Sequence, residues 1–353
     1  WDGRVICTPG TPERLVRRRG LVSINVWQTP EYRQLRVNAE DWGPVREFLA
    51  WMFPREDERI RFLDWLAWSL QNEDQKPNWA PFLYSDRKGT GKSSLAAVAT
   101  ALFGPANTAT QNNVDKLTGR FNMSLLLSKF VVSEEVKLQA GTRASNTLKT
   151  FITEPTVMAE MKGREAVPIE QKCCFLMTSN HLPLWIEPDE RRYWIAEINH
   201  DGYASGPRSK EFTEIVSRVH EMLTDPEAVA RLYNALMRRE LAPDFSAKTL
   251  NIAIHSTDVM RRIQNAAPLV TTERLREYLD GRGKTHIPEF ELVAFFKDEL
   301  KTNPETLRHK MIELGWSRRS VKWGGVDYAR NLWLRPGYTA YRGEITAPDG
   351  SRF

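Results

Sequence analysis

Hydrophobic residues in the first half of the chain follow two different spacings. Between 57 and 70 they recur every three or four residues, which predicts an amphipathic helix, and Asp41 is placed to cap an earlier helix over 41–52. Short apolar runs follow at 79–84, 125–132 and 173–178. Helix candidates at 93–103 and 144–151 and a hairpin candidate at 157–169 lie between them. Strands alternating with helices predict an α/β core built on a mostly parallel sheet.

The second half of the chain has a different pattern. From 209 to 262 the spacing is helical and amphipathic. Three more helix candidates and then two short strand candidates follow, at 272–279, 289–300, 304–314, 321–323 and 331–334. Three helices followed by a strand pair, with the turn residues Gly324 and Gly325 between the strands, predict a winged helix-turn-helix. The residues after Pro336 are polar and predict a loose tail.

Composition narrows the class of protein without deciding its function. The 353 residues carry a net charge of +5, a mild basic bias that fits a polyanionic partner but also an ordinary basic protein. No apolar stretch approaches the roughly 18 residues that span a bilayer, so we expect no membrane partner. The three cysteines, Cys7, Cys173 and Cys174, have no metal-ligand spacing. Cys173 and Cys174 are predicted to be small core residues in a strand, which indicates a reducing, cytoplasmic compartment. Because the chain begins at Trp1 rather than methionine, we expect it to be part of a longer protein.

The most specific segment lies at 85–94, between a predicted strand and a predicted helix, as a phosphate-binding loop requires. Its glycines would let backbone N–H groups face phosphate oxygens at a helix amino terminus. Lys92 could reach the β- and γ-phosphates of ATP, and Ser93 could offer a hydroxyl to Mg²⁺. The predicted nucleotide-binding residues are Gly89, Thr90, Gly91, Lys92, Ser93 and Ser94. Asp86 stands where the motif usually has its first glycine.

Polar side chains end the next two predicted strands. Glu134 and Glu135 close one apolar run, and we assign Glu134 to Mg²⁺ and Glu135 to activation of the attacking water, with the reverse order also open. Asn180 ends the following strand and could hydrogen-bond the γ-phosphate or the water. The alternatives are a solvated strand edge for the glutamates and a helix cap for Asn180.

Two cationic segments are further candidates. Arg191 and Arg192 follow the Asn180 strand and suit an arginine finger that reaches a neighbouring subunit, or a surface charge cluster, and the sequence does not choose between the two arginines. Lys149, Lys162 and Arg164 lie between the acidic pair and Asn180, the last two at a predicted hairpin tip. They could hold phosphates of single-stranded DNA, or belong to an exposed turn. The winged-helix candidate adds further cations at Arg308, Lys310, Arg318, Arg319 and Lys322.

The order of these segments resembles superfamily 3 helicases of the phage and plasmid primase-helicase type. Motif A resembles 89–94, motif B resembles 131–135, and motif C resembles 175–180 with Asn180 at its end. The intermediate motif is similar to 149–162, and the arginine pair to Arg191 and Arg192. The resemblance covers about residues 20–200. It implies an AAA+-like ATPase, a hexameric ring and ATP-dependent translocation on DNA, 3′ to 5′ in that family. Some relatives carry a primase domain upstream, which the parent of this chain could also have.

We therefore expect an AAA+-like P-loop ATPase core with a mostly parallel sheet, preceded by a small helical module and followed by a helical and winged-helix carboxy-terminal domain. The predicted segments are a lead-in at 1–40, the helical module at 41–76, the ATPase core at 77–205, a helical extension at 206–268, the winged-helix-like domain at 269–340 and a tail at 341–353.

The predicted function is that of an ATP-dependent replicative DNA helicase that uses ATP and Mg²⁺, acts on single-stranded or forked DNA and assembles as a homo-oligomer. Two alternatives stay open: a replicon or origin-recognition protein whose ATP site gates assembly, and a small-molecule P-loop kinase. The kinase would turn over ATP without DNA, and the recognition protein would bind one DNA sequence tightly with little turnover.

Overall fold

The computed structural model describes residues 4–18, 20–119, 122–139, 142–160, 163, 165–187, 190–281, 283–300, 307–322, 328–341 and 343–352. The chain divides into two compact units, Trp1–Ile263 and Gln264–Phe353. The division falls inside one long helix, a few residues before the predicted boundary at 268. In the described part of the chain, every helix is too short or too polar to cross a bilayer.

The amino-terminal segment forms a small sheet where the sequence predicts a partly irregular lead-in. Its strands are β1 (Val5–Ile6), β2 (Leu15–Arg18) and β3 (Leu21–Asn25), in the order β1-β3-β2. The buried side chain of Asn25 accepts a hydrogen bond from the Thr8 amide at 2.9 Å and donates to the Thr11 carbonyl at 2.9 Å. These bonds satisfy backbone groups of the loop between β1 and β2, which orders it. A 3-10 turn follows at Glu31–Gln34.

The predicted helical module consists of α1 (Val45–Met52) and α2 (Glu56–Gln71). Asp41 does not cap α1: its carboxylate accepts the Gly43 amide at 2.9 Å in a turn, and the helix begins after Pro44. Both helices bury aromatic side chains in the main core, among them Phe48, Phe62 and Trp65.

The core of the first unit alternates strands and helices. Its elements are β4 (Ala80–Tyr84), α3 (Lys92–Phe103), a 3-10 turn (Pro105–Asn107), β5 (Thr108–Gln111), α4 (Val114–Thr118), α5 (Met123–Leu126), β6 (Phe130–Ser133), α6 (Arg143–Thr153), β7 (Thr156–Ala159), β8 (Val167–Glu170), β9 (Cys174–Ser179) and β10 (Tyr193–Glu197). The apolar run at 125–132 is not one strand, because its first residues belong to α5. β7 and β8 form the predicted antiparallel hairpin.

Five of these strands form a parallel sheet in the order β10-β4-β9-β6-β5. β4, β6 and β9 are buried at every position, as expected for a sheet covered on both faces. The predicted α/β core with a parallel sheet is therefore confirmed. Parallel pairing brings the carboxyl ends of β4, β6 and β9 to one edge of the sheet, where the loops that follow them meet.

Helices complete the first unit: α7 (Ser209–Met222), α8 (Pro226–Met237), α9 (Ile252–His255) and the first part of α10 (Asp258–Gly281). α8 begins with Pro226 directly after Asp225, whose side chain accepts the Glu227 amide at 2.9 Å. α7 packs against α1 and against α3, the helix that follows the glycine-rich loop. This packing brings α7 to the carboxyl edge of the sheet.

The second unit contains the end of α10, then β11 (His286–Pro288), α11 (Glu289–Asp298), α12 (Leu307–Glu313), β12 (Ser317–Val321) and β13 (Arg330–Leu334). The strands form an antiparallel sheet in the order β11-β13-β12, with the last strand at the centre. Its core includes Leu275, Phe296, Met311 and Trp333. The unit contains helices and a strand pair, but the unpredicted strand β11 lies between α10 and α11, and the predicted turn residues Gly324 and Gly325 lie outside the described residues. The winged helix stays a prediction.

The predicted loose tail is wrong in part. β14 (Thr339–Tyr341) and β15 (Glu344–Thr346) form a hairpin across the expected boundary at 341. Ile345 is buried in a small cluster with Leu332 and Leu334 of β13. A single buried side chain in a polar stretch gives too weak a pattern for sequence reasoning to detect.

Candidate nucleotide site

The loop between β4 and α3 requires glycine at two positions. Gly89 and Gly91 have φ angles of 71° and 86°, in the left-handed region that favours glycine. A Cβ on Gly91 would lie 2.8 Å from Phe212 of α7 and 2.9 Å from the Met52 sulfur. A Cβ on Gly89 would lie 2.8 Å from Ala204. Both the backbone angle and the packing behind the loop therefore exclude larger residues.

Residues 200–204, which follow β10, hold this loop from behind, and we call them the loop clamp. The Ala204 amide donates to the Lys88 carbonyl at 2.9 Å, and His200 Nε2 lies 3.2 Å from the Thr90 carbonyl oxygen. The Arg87 guanidinium stacks over the Tyr203 ring at 5.1 Å. The clamp fixes the loop at several points, so the loop does not depend on a glycine where this chain has the exposed Asp86.

The imidazole of His200 is itself fixed. Its Nδ1 accepts the Gly202 amide at 3.1 Å, so the ring proton of the neutral form is on Nε2 and points to Thr90. The ring centroid lies 4.4 Å from that of Phe212 and 5.4 Å from that of Trp51. Burial lowers the pKa of His200 below its usual 6.5, which keeps the ring neutral near pH 7.

Lys92 and Ser93 begin α3 with their side chains in the cleft. The Lys92 ammonium lies 3.3 Å from Thr90 Oγ1, and burial lowers its pKa from 10.5 to about 8. A polyphosphate beside this group would stabilise the charged form. The Ser93 hydroxyl donates to Glu134 Oε1 at 3.1 Å. Ser94 also lines the cleft, and its Oγ lies 3.1 Å from His220 Nε2 of α7.

The two glutamates follow β6 in a constrained conformation. Among the described residues, Glu135 is the one non-glycine residue with a positive φ, at 51°. Such a conformation costs about 1–2 kcal/mol and persists only when its surroundings enforce it. Here the Glu134 amide donates to the Gln111 carbonyl at 3.0 Å, and the amide of the buried Val136 donates to the Thr178 carbonyl at 2.9 Å. These bonds on both sides turn the exposed Glu135 carboxylate toward the cleft.

Asn180 follows β9 between the loop and the glutamates. The carbonyls just before it bond to both neighbours: Thr178 accepts from Val136, and Ser179 accepts from the Ser85 amide at 3.2 Å. The resulting cleft has a volume of about 380 Å³. Its lining includes the predicted nucleotide-binding residues, both glutamates and Asn180, together with Asn112 from the β5 end and Phe212, Thr213 and Val216 from α7.

Three comparisons relate this chain to known proteins. A family model described as a family of unknown function, DUF5906, matches residues 83–192. The DNA primase-polymerase of Nitratiruptor phage NrS-1 is 27% identical over 200 residues, which make up 54% of this chain. The chain spans about a quarter of that relative's length, since the match covers 27% of it.

Solved structures match over almost the whole chain. An apo structure of the NrS-1 carboxy-terminal region gives a TM-score of 0.58 at 18% identity, covering 94% of this chain and 85% of the other. A second apo structure of that region gives the same TM-score and covers 84% of its chain. The two proteins share a fold. The DUF5906 match runs from the end of β4 to Arg192, so it contains most of the cleft residues.

The two candidate finger arginines lie away from the cleft. The Ala80 amide donates to the Arg192 carbonyl at 2.9 Å, at the amino ends of β4 and β10 and therefore at the opposite edge of the sheet. The Arg192 guanidinium donates to the buried Glu190 carboxylate at 2.8 Å. Arg191 is exposed and forms no ion pair with any residue that the structure describes.

Of the three residues predicted to contact DNA, the structure describes only Lys149. Lys149 lies on α6 and pairs with Glu187 at 2.8 Å and with Glu190 at 3.1 Å. The ammonium group of Lys149 is therefore paired within its own chain, and its contact with DNA stays a prediction. Lys162 and Arg164 lie outside the described residues, although Gly163 between them is a turn residue with a φ of 77°.

Sequence reasoning missed the loop clamp, Phe212 and Glu190. The pattern gives no direct signal for a contact between residues that are 110 positions apart, as Thr90 and His200 are. Glu190 directly precedes the arginine pair, and this spacing could have suggested an ion pair with Arg192. In the part of the chain that the structure describes, no cluster of three or more His, Cys, Asp or Glu residues could hold a metal.

Proposed function

We propose that this chain is the ATP-hydrolysing motor of a DNA helicase, of the superfamily 3 type, that works as a homo-oligomeric ring in phage or plasmid DNA replication. The observation that carries the proposal is the cleft itself. It unites a glycine-constrained loop at a helix amino terminus with a lysine, a hydroxyl–carboxylate pair and a second carboxylate. P-loop NTPases need this set to bind and cleave a triphosphate.

The residues present fit ATP and Mg²⁺. The loop amides and the positive end of α3 favour phosphate, and Lys92 adds a cation. Ser93 Oγ and Glu134 Oε1, 3.1 Å apart, offer the oxygen ligands that Mg²⁺ takes in proteins, usually together with water and substrate phosphates. When bound, Mg²⁺ would neutralise charge on the phosphate oxygens. A Mg²⁺ site in which the substrate phosphates supply some of the ligands needs no cluster of three protein carboxylates.

Glu135 suits the role of the base. Its carboxylate is exposed to the cleft, whereas the Glu134 carboxylate accepts a hydrogen bond from Ser93. This difference favours Glu134 as the metal ligand and Glu135 as the base that activates water, over the reverse order. Asn180 lies between the loop and Glu135, because β9 lies between β4 and β6 in the sheet. An amide at this place could hydrogen-bond the γ-phosphate or the attacking water. The strained backbone of Glu135 fits a carboxylate that must be aimed rather than merely solvated.

The placement of Arg191 supports a ring. Because it lies at the edge of the sheet opposite to its own cleft, it could act as an arginine finger only in the cleft of a neighbouring subunit. Arg192 is occupied by Glu190, which favours Arg191 as the finger and Arg192 as a residue that fixes the segment. A closed cyclic assembly, a hexamer by resemblance to the family, would bring each Arg191 to the next site.

DNA as the partner rests on the comparisons and on the hairpin. NrS-1 is a phage, and the relative's name is primase-polymerase. We infer from this likeness a part in DNA replication, and we propose that the parent protein has a primase domain upstream. Lys162 and Arg164 lie between β7 and β8 in the sequence, and our proposal keeps the sequence-based hypothesis that they hold single-stranded DNA in a ring pore.

ATP turnover measured with and without single-stranded DNA tests this proposal. The helicase predicts stimulation by DNA of any sequence. A small-molecule kinase predicts none, and an origin-recognition protein predicts tight binding to one sequence with little turnover. Either of the latter results would contradict the proposal. Lys92→Ala should abolish turnover, whereas the control Lys116→Ala, an exposed lysine on α4, should not change it.

Subunit mixing tests the finger. Arg191→Ala and Lys92→Ala chains should each be inactive alone, but their mixture should recover part of the activity. In the mixture, an intact cleft on one chain can meet an intact Arg191 on the next. An inactive mixture that still assembles would contradict action between subunits.

A further inference from the structure

The cleft contains a contact that the ATPase motifs do not include. Thr90 is almost completely buried, at 1% exposure, and both of its oxygen atoms are engaged. Its carbonyl oxygen lies 3.2 Å from His200 Nε2, and its hydroxyl oxygen lies 3.3 Å from the Lys92 ammonium. Thr90 thus connects an imidazole behind the loop to the lysine in front of it.

The imidazole can transmit position because it has little freedom of its own. The Gly202 amide fixes Nδ1 at 3.1 Å, and the rings of Trp51 and Phe212 lie on its sides. Gly202 is packed so closely that a Cβ there would lie 2.4 Å from the Phe212 Cβ. The ring orientation is therefore set by β10, α1 and α7 together, and not by the loop that it contacts.

We propose that His200 is a positioning residue for the nucleotide site: its Nε2–H holds the Thr90 carbonyl, so that the loop amides and Lys92 are in place before a triphosphate arrives. This inference rests on the proposed ATPase function. Without the contact, the nucleotide itself must order the loop, and the free energy of ordering reduces the net free energy of binding. The effect should then appear in nucleotide affinity and KM, with kcat at saturation largely kept.

Two substitutions separate the two nitrogen atoms of the ring. His200→Asn places an acceptor near the Nδ1 position, where it can keep the Gly202 amide, but it is too short to reach Thr90. His200→Gln can place an N–H near the Nε2 position and keep the Thr90 contact. A hydrogen bond contributes about 0.5–1.5 kcal/mol, so we expect His200→Asn to weaken MgATP binding up to about tenfold. His200→Gln should recover most of the affinity.

The test is titration calorimetry of the full chain with MgATP or a slowly hydrolysed thio analogue, with thermal unfolding of the nucleotide-free protein as a second measurement. Weak binding by His200→Asn, recovery by His200→Gln and similar unfolding temperatures for both would support the inference. Native affinity in His200→Asn, or equal losses in both variants, would overturn it while leaving the ATPase proposal intact. A wild-type chain that binds no MgATP would overturn both.

Discussion

Replacing Gly91 with alanine tests whether the observed loop shape is the one that binds nucleotide. At a φ of 86° an L-residue costs about 1–2 kcal/mol, and the new methyl group would lie within 3.0 Å of Phe212, Met52 and Phe48. Overpacking of this kind costs a further 1–3 kcal/mol or so. The loop can avoid the clash only by changing its conformation. The free energy needed to restore the original conformation then weakens nucleotide binding. A loss of about 2 kcal/mol or more predicts at least roughly thirtyfold weaker binding.

Gly10→Ala is a matched control for this prediction. Gly10 has a φ of 77°, and apart from its two chain neighbours no atom of the described residues lies within 4 Å of an added Cβ, so it carries the backbone cost without the clash. Both variants would be measured by MgATP calorimetry and by thermal unfolding. We expect a modest loss of stability in Gly10→Ala with unchanged affinity, and a large loss of affinity in Gly91→Ala. Native affinity in Gly91→Ala would refute the role assigned to the loop.

Three further predictions follow from the charges. The pKa of Lys92 is near 8 without nucleotide, so MgATP affinity should fall as the pH rises from about 7 to 9.5. Above pH 8, binding should also take up a proton, which calorimetry in two buffers would detect. An affinity that does not change with pH would place Lys92 away from the phosphates. Lys149→Met should lower the free energy of unfolding by about 1 kcal/mol and leave DNA affinity unchanged, and weaker DNA binding would restore Lys149 as a DNA-binding residue. Removing the cations of Lys162 and Arg164 should reduce the slope of log affinity against log salt by about 0.7 for each DNA phosphate that is no longer neutralised, and an unchanged slope would exclude the hairpin from DNA.

The elements of the cleft were predictable because their signals are local. Gly89, Gly91 and Lys92 lie together in sequence, and a strand before them and a helix after them are enough to predict the loop. Glu134 and Asn180 required one more step, namely that parallel strands bring their carboxyl ends to one edge of a sheet. The hydrophobic runs at β6 and β9 made it possible to predict these strands. The start of the first run was misassigned, because its first residues belong to α5.

The contacts that were not predicted join distant parts of the chain. His200 contacts Thr90 only because β10 lies next to β4 in the sheet. Lys149 contacts Glu190 only because α6 packs near the amino end of β10. A lysine that pairs with carboxylates has the same sequence signature as a lysine that binds phosphate. For His200 and for Lys149, the residue type indicates the possible chemistry, but only the fold determines which group the side chain contacts.

The central claim is that the cleft hydrolyses ATP with Glu135 as the base. The most direct measurement compares MgATP binding with phosphate release in Glu135→Gln and in the unchanged chain, each with single-stranded DNA present. The account predicts near-native binding in the variant, with turnover reduced at least about a hundredfold, as expected when a general base is removed. Phosphate release at the unchanged rate would contradict the account, because the water would then be activated elsewhere.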